Sequence, residues 1–93
     1  MKKYEIMYIL RPNLDSNDVK KISDHLENVF TQNPSQILEK KDIGLKDLAY
    51  PINNHNKGYY RWFRTQTNNE SVLEFNRIIK ITEEIIRFII IKE

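Results

Sequence analysis

The chain has 93 residues, of which 40% are hydrophobic and 30% charged, and these values predict one globular domain spanning residues 1–93. It has no cysteine, which excludes disulfides, thiolate catalysis and cysteine-based metal sites and is typical of a reducing compartment. Its net charge of +2 is too small to indicate nucleic-acid binding without further features.

The N-terminal segment MKKYEIMYIL is predicted to be part of the fold and not a signal peptide. Glu5 interrupts its apolar run and Arg11-Pro12 ends it, whereas a signal peptide needs a longer apolar region and a small-residue cleavage site. No stretch approaches the ~18 apolar residues that a bilayer-spanning helix needs. We therefore expect an intracellular chain that does not use a membrane.

The first predicted strand covers residues 4–10, where side chains of alternating character indicate one buried face. The side chains predicted to be buried are those of Tyr4, Ile6, Tyr8 and Leu10. A helix follows, capped by Asp15 or Ser16, with Glu27 on its polar flank. Its apolar stripe consists of Val19, Ile22, Leu26, Val29 and Phe30. Asn33-Pro34 is predicted to stop it.

Two strands joined by a hairpin are predicted at residues 37–50 and 59–66. The apolar pattern of the first changes phase near Gly44, where a β-bulge would add one unpaired residue. Pro51 cannot donate to a strand ladder, so we expect it at the strand's end or on a sheet edge. Residues 53–57 are predicted to be the hairpin loop, and Gly58 opens the return strand.

The return strand has aromatic residues on both faces, with arginines between them. One face has Tyr59, Arg61 and Phe63, and the other has Tyr60, Trp62 and Arg64. A strand with one wet face should alternate apolar and polar residues. This strand does not, which predicts that something outside the domain covers the second face.

A second amphipathic helix is predicted after a cap at residues 67–69, with Val72, Phe75 and Ile79 on its apolar stripe. Residues 82–84 end it. The segment IIRFIII at residues 85–91 is too short and too β-branched for a free helix, so we predict a strand, central in its sheet. Ile89 and Ile91 lie on one face of that strand.

The order strand, helix, strand, strand, helix, strand predicts an α+β fold. We expect a ferredoxin-like βαββαβ sandwich, with a four-stranded antiparallel sheet and two helices on one face. Each helix is expected to return the chain for a parallel pairing. On the open face Tyr60, Trp62, Ile89 and Ile91 are predicted to form an exposed apolar patch, which usually indicates a partner. Homodimerisation through this face is the alternative.

Positive charge is concentrated in the middle of the sequence. Residues 40–64 contain six basic and two acidic residues, a balance of +4, whereas the rest of the chain has a balance of −2. This pattern predicts attraction to a polyanion, and the alternative is an ordinary solvated face.

Features of catalytic and cofactor sites are absent from the sequence. His25 and His55 have no companion at metal-ligand spacing, and the two glycines cannot form a phosphate-binding loop. No serine lies in a nucleophile elbow. We therefore expect no catalysis, no metal, no cofactor and no small-molecule substrate.

Five segments together resemble a known family: KKYE at residues 2–5, RPNLD at 11–15, GLKDLAYPI at 44–52, GYY at 58–60 and IIRFIIIK at 85–92. The chain is similar over residues 2–92 to the bacterial family of ribosomal protein six of the small (30S) subunit. The block at residues 44–52 is the most specific element. Plastid relatives share the pattern.

The resemblance implies a structural component of the ribosome, in the cytoplasm or the plastid stroma. It implies binding to the central domain of 16S-type ribosomal RNA together with ribosomal protein eighteen. The residues that it places at the RNA are Lys2, Lys3, Lys46, Arg87 and Lys92. It places Tyr50, Pro51 and Trp62 toward the partner protein, and the predicted apolar patch adds Tyr60, Ile89 and Ile91. Asp47 departs from the family, which often has a basic or polar residue there.

Two alternatives use the same fold. The first is a single-stranded RNA-binding module resembling an RNA recognition motif, with bases stacked on Tyr59 and Trp62. Lys57-Gly58-Tyr59 opens like that motif, but Tyr60 and Arg61 depart from it. The second is an enzyme such as an acyl phosphatase, which would need an anion-binding loop after the first strand. Arg11 is the one arginine there, and no glycine accompanies it.

Overall fold

A computed structural model describes residues 1–32, 34–52 and 54–93 of the chain. Its elements are β1 (Lys2–Leu10), α1 (Ser16–Glu27), a 3-10 turn (Asn28–Phe30), β2 (Gln36–Ile52), β3 (His55–Thr67), α2 (Asn69–Lys80) and β4 (Ile85–Lys92). The order confirms the predicted arrangement of strands and helices, and the architecture is the expected α+β ferredoxin-like sandwich.

The four strands form one sheet in the order β2-β3-β1-β4, and each neighbouring pair is antiparallel. The expected parallel pairings are therefore wrong. Each helix joins two strands that have a third strand between them, so the crossover skips one position in the sheet. The prediction that the last strand is central is also wrong, because β4 lies at an edge. Its apolar run has another cause: one face covers the core and the other belongs to the open face.

Both helices pack on one face of the sheet, where the core lies. The predicted inner face of β1 is confirmed, since Tyr4, Ile6, Tyr8 and Leu10 are all buried. The core cluster joins Ile6, Tyr8 and Leu10 to Val19, Leu26, Phe30, Phe63, Phe75 and Ile79. The Phe30 and Phe75 ring centroids lie 5.1 Å apart, within the range of favourable aromatic pairs. The turn after α1 is thus held against α2.

Each helix begins at a side-chain cap that the sequence predicted. Asp15 Oδ1 accepts a hydrogen bond from the Asp18 amide at 2.8 Å, and Asn68 Oδ1 accepts one from the Ser71 amide at 2.8 Å. Such caps stabilise a helix by about 1 kcal/mol each. α1 ends at Glu27, before the predicted stop, and Asn33 lies outside the described residues.

The bulge predicted at Gly44 is present. Asp42 lies opposite Arg61 and Gly44 opposite Tyr60, so Ile43 is the extra residue. Gly44 has a φ of 96°, a conformation that a residue with a Cβ adopts at a cost. Pro51 lies near the end of β2, which is an edge strand, as predicted.

The predicted hairpin loop is too long, because β3 already begins at His55, which pairs with Ile52. Asn54 has a φ of 66°, typical of a tight hairpin turn, and Asn53 lies outside the described residues. β1 first pairs with β3 at Tyr59, so residues 55–58 extend beyond it. Polar side chains are tolerated in these strand positions because solvent is accessible there. We call residues 46–52 and 54–58 the hairpin arm.

Candidate nucleic-acid and protein interface

Apolar side chains line a depression on the sheet face opposite the helices. Met7 lies directly between Trp62 on β3 and Ile89 on β4. These three residues, with Glu5 and Ile91, line a hollow of about 230 Å³. Ile89 is 45% exposed and Ile91 52% exposed. Trp62, Ile89 and Ile91 of the predicted patch therefore lie together, and β1 adds Met7, which the sequence interpretation missed.

Two further residues of this face, Tyr60 on β3 and Lys41 on β2, lie on the side of the depression nearest β2. Tyr60 is the next residue of β3 on the same face, lies opposite Ile9 of β1 and is partly buried. Lys41 lies opposite Trp62, with its ammonium nitrogen 5.3 Å from the ring centroid. This distance allows a cation–π contact. The Lys41 ammonium thus lies beside the depression, on the side nearest the β2 edge.

The hairpin arm crosses the other end of the same face. A Cβ on Gly58 would lie 2.3 Å from Ile9 Cγ2, 3.4 Å from Leu48 Cδ2 and 3.5 Å from Ile86 Cδ1. Side chains from β1, β2 and β4 therefore converge over the one residue of β3 that has no side chain. The open face is not uniformly uncovered, because the arm covers the end near Ile9.

Tyr50, at the far part of the arm, contacts Arg87 of β4. Arg87 Nη1 donates a hydrogen bond to the Tyr50 hydroxyl, and the guanidinium carbon lies 5.7 Å from the Tyr50 ring centroid. Pro51 is the next residue along the arm and is exposed. Tyr50 and Arg87, which the resemblance assigns to different partners, thus contact each other.

The five basic residues assigned to RNA lie at two ends of the sheet. Lys2 and Lys3 begin β1, and Lys92 lies opposite Tyr4 near the same end. Lys46 lies opposite Gly58, and Arg87 opposite Ile9, at the other end. The strand from Tyr4 to Ile9 rises by roughly 17 Å at about 3.3 Å per residue. The structure therefore gives two basic groups and not one cluster.

Most of the positive charge in residues 40–64 is compensated within the protein. Five of the six basic residues have a carboxylate oxygen within 4.0 Å. The pairs are Lys40–Glu27, Lys41–Glu39, Lys57–Asp47, Arg61–Glu27, Arg61–Asp42, Arg64–Glu39 and Arg64–Glu93. Glu27, Glu39 and Glu93 come from outside the stretch. The positive charge that the sequence concentrates in this stretch is therefore largely neutralised at close range.

Lys46 is the exception in that stretch. Within the described part of the chain it has no carboxylate partner at ion-pair distance. The same holds there for Lys2, Lys3, Arg87 and Lys92. The residues that the resemblance assigns to RNA are thus cations whose charge is not neutralised at close range. Asp47 pairs with Lys57 across the arm, its Oδ1 3.9 Å from the Lys57 Nζ.

A buried ionic cluster, which the sequence interpretation missed, fixes β2 and β3 against α1. Glu27 was predicted on the polar flank of α1 but is 3% exposed. The Tyr8 hydroxyl donates to Glu27 Oε2 at 2.7 Å, and Arg61 Nη2 lies 3.4 Å from the same oxygen. Lys40 Nζ lies 3.3 Å from Oε1. Burial, assisted by the negative charge of Glu27, raises the pKa of Tyr8 above its usual range. The spacing of apolar residues along α1 could not reveal that Glu27 is buried, because the partners of Glu27 come from three strands.

The structure does not support base stacking on the predicted pair of aromatic residues. Tyr59 packs against the core on the helix side and donates a hydrogen bond to Asp42 Oδ2 at 2.9 Å. Trp62 lies on the opposite side of the sheet, in the apolar depression. The two rings cannot form one stacking platform, so the alternative of an RNA recognition motif loses its site.

Within residues 1–32, 34–52 and 54–93, histidine and carboxylate side chains form no group of three or more that could hold a metal ion. None of the helices there combines the length and the apolar character required to cross a bilayer.

Comparison with known proteins identifies the family. The family model described as ribosomal protein S6 matches residues 3–92. The small ribosomal subunit protein bS6 of Phytoplasma australiense is 83% identical over 93 residues, which cover 100% of both chains. The protein of the same name from Acholeplasma laidlawii is 48% identical, with 100% of this chain and 98% of that protein covered.

A solved structure shows the same fold. The crystal structure of 30S ribosomal protein S6 from Thermotoga maritima superposes with a TM-score of 0.92, covering 99% of this chain and 87% of that one. The sequences are 22% identical, so this likeness concerns the fold alone. The named sequence relatives are bacterial. The chain belongs to the ribosomal protein S6 family, a family of structural, non-enzymatic components of the small subunit of the bacterial ribosome.

Proposed function

We propose that this protein is a docking scaffold that binds the central domain of small-subunit ribosomal RNA together with ribosomal protein eighteen. The observation that carries the proposal is the apolar depression formed by Met7, Trp62, Ile89 and Ile91 on the face that the helices leave uncovered. Exposed apolar surface of this kind usually marks an interaction site. Family membership supplies the context of the ribosome.

The partner protein occupies the apolar depression in this proposal. Ile89 and Ile91 offer apolar area to a partner, and Trp62 has the large ring that often dominates binding energy at interfaces. Tyr60 lies next to Trp62 on the same face of β3. Tyr50 contacts Arg87 of β4, and Pro51 is the next residue of the arm and is exposed. A protein segment with apolar side chains fits this surface better than a phosphate backbone does.

The RNA contacts use the basic residues without a close carboxylate. Lys46 at one end of the sheet, and Lys2, Lys3 and Lys92 at the other, form no ion pair with the described residues that a phosphate would have to break. Contacts between lysine and phosphate release counterions and give an affinity that falls with salt. They position a protein on RNA without reading sequence. Specificity then comes from RNA shape and from the surface shared with the partner protein.

The experiment is a titration of the protein into a central-domain RNA fragment with ribosomal protein eighteen, at several salt concentrations. We expect Lys46→Glu to weaken assembly while the thermal unfolding midpoint stays nearly unchanged, because Lys46 is exposed and has no close carboxylate partner among the described residues. Lys21→Glu is the matched control, since Lys21 is an exposed lysine on α1, away from the open face. Equal assembly by Lys46→Glu and the unmutated protein at moderate salt would refute the RNA role of Lys46. Failure of the unmutated protein to bind would refute the proposed function.

A further inference from the structure

The contact between Arg87 and Tyr50 joins the two outer strands of the sheet. Tyr50 belongs to β2 and Arg87 to β4, and β3 and β1 lie between them in the sheet order. A direct side-chain contact between opposite edges requires the hairpin arm to cross the open face. The contact is therefore a bridge over the sheet, and its geometry depends on how the arm is held.

The arm rests on a small apolar cluster beneath this bridge. Ile9, Leu48 and Ile86, from three different strands, all lie within 3.5 Å of the position that a Cβ on Gly58 would take. Ile9 is 5% exposed although it points away from the main core. The cluster packs the arm against the sheet, and Arg87, the residue after Ile86, joins the arm to β4 through its exposed contact with Tyr50.

The guanidinium group of Arg87 is already engaged in two contacts with Tyr50. One nitrogen donates to the hydroxyl, and the planar group lies over the ring. An arginine engaged in this way has its position and orientation set by the aromatic ring. Lys46 differs, because it lies on the arm itself and no carboxylate of the described residues is within ion-pair distance.

We propose that Arg87 and Tyr50 form a clasp that holds the hairpin arm across the open face, and that Arg87 is a positioning residue and not a phosphate contact. The clasp sets where the arm presents Lys46, which lies opposite Gly58 at the same end of the sheet as Arg87. Its effect on assembly rests on the function proposed above, whereas its effect on the arm is a property of the free protein. The two consequences can therefore be measured separately.

The first measurement is amide hydrogen exchange in the free protein, followed by NMR. We expect Tyr50→Leu and Arg87→Gln each to raise exchange rates in the hairpin arm by about fivefold, the size expected for an exposed cation–π contact. Exchange in the β1–β4 ladder away from Arg87 should not change. Tyr50→Phe keeps the ring face and should restore most of the protection. Unchanged arm exchange in both Tyr50→Leu and Arg87→Gln would overturn the clasp.

The second measurement is the salt dependence of assembly with the central-domain RNA fragment and ribosomal protein eighteen. Loss of a phosphate contact lowers the slope of log affinity against log salt by about 1. We expect Lys46→Gln to lower the slope in this way. Tyr50→Leu and Arg87→Gln should weaken assembly by a similar factor with the slope unchanged, and the double variant should be no weaker than either.

The outcomes separate the alternatives. If Arg87→Gln lowers the slope while Tyr50→Leu assembles like the unmutated protein, Arg87 contacts phosphate and the proposal is overturned. If the unmutated protein does not assemble at all, the proposed function fails, and the exchange data then decide the clasp by themselves.

Discussion

The Tyr8 hydroxyl donates a hydrogen bond to Glu27 Oε2 at 2.7 Å and so connects the centre of the sheet to the last turn of α1. Arg61 Nε donates to the Tyr8 oxygen at 3.2 Å, and Arg61 and Lys40 both lie within ion-pair distance of the Glu27 carboxylate. A buried carboxylate needs such partners to remain charged inside a protein. The cluster therefore joins α1 to β1, β2 and β3 through one side chain.

Glu27→Gln is expected to lower the free energy of unfolding by about 2–3 kcal/mol. The side-chain amide oxygen of the introduced glutamine can still accept the hydrogen bond from the Tyr8 hydroxyl. The neutral side chain no longer offsets the charge of Arg61, whose side chain is mostly buried. Removing one partner of a buried ion pair is the costly case, but Asp42 Oδ2 remains 3.3 Å from Arg61 Nη1 and keeps the loss below that of a fully unpaired charge. Urea denaturation at neutral pH measures the change. Glu39→Gln is the control, because its carboxylate is exposed and its pairs with Lys41 and Arg64 are long. A similar loss in both variants would contradict the role of Glu27.

Ionisation of Tyr8 should lower the free energy of unfolding of the protein at alkaline pH. Burial raises the pKa of Tyr8, so the folded state keeps the proton while an unfolded tyrosine ionises near pH 10. The unfolded state loses the proton first as pH rises, so this contribution is fully present below about pH 10 and declines above it. Urea midpoints measured from about pH 8 to 11.5 test this.

Tyr8→Phe should flatten that alkaline decline, although losing the hydrogen bond lowers stability at neutral pH by about 1 kcal/mol. Tyr59→Phe is the comparison. The hydrogen bond that Tyr59 donates to Asp42 raises the pKa of Tyr59 as well, but this side chain is only partly buried. We expect most of the decline to persist in Tyr59→Phe. An unchanged decline in Tyr8→Phe would show that another group causes it.

The two glycines should respond to alanine for different reasons. Gly44→Ala is expected to cost about 1–2 kcal/mol through its positive φ alone, because nothing lies within 4 Å of the added Cβ. Gly58→Ala is expected to cost about 1–3 kcal/mol because its Cβ would lie 2.3 Å from Ile9 Cγ2. Thermal or urea unfolding measures both.

An Ile9→Ala background distinguishes the two mechanisms. Removing Cγ2 should abolish most of the cost of Gly58→Ala, since the clashing atom is gone, and should leave the cost of Gly44→Ala unchanged. Equal coupling of both glycines to Ile9 would mean that the contacts over Gly58 do not determine its cost.

Ile91→Gln should weaken capture of ribosomal protein eighteen by about tenfold, or roughly 1.4 kcal/mol, if the apolar depression is the partner surface. Ile91 is already exposed, so the unfolding midpoint should hardly change. Ile81→Gln is the control, because Ile81 is 71% exposed and follows α2 on the helix layer. Binding is measured by titration with the RNA fragment present. Equal weakening by both variants would argue against the depression.

Much of the fold could be predicted because its determinants are close together in the sequence. The alternation in β1, the caps at Asp15 and Asn68 and the phase change at Gly44 each depend on a few consecutive residues. Backbone geometry converts these short patterns directly into strands, caps and a bulge. The sequence also predicted which residues of β3 and β4 form the open-face patch, because side chains alternate between the two faces along a strand.

Tertiary structure alone decided the features that combine distant residues. The sheet order places β4 at an edge, the partners of Glu27 make a polar position a buried one, and Arg87 meets Tyr50 across the sheet. Part of the positive charge of residues 40–64 is compensated by carboxylates from elsewhere in the chain, among them Glu27 and Glu93. The local spacing of apolar residues and the local composition determine on which face of its helix or strand a side chain lies. Ion pairing and burial depend on which strands become neighbours, because Coulomb and packing interactions act over a few ångströms in space and not along the chain.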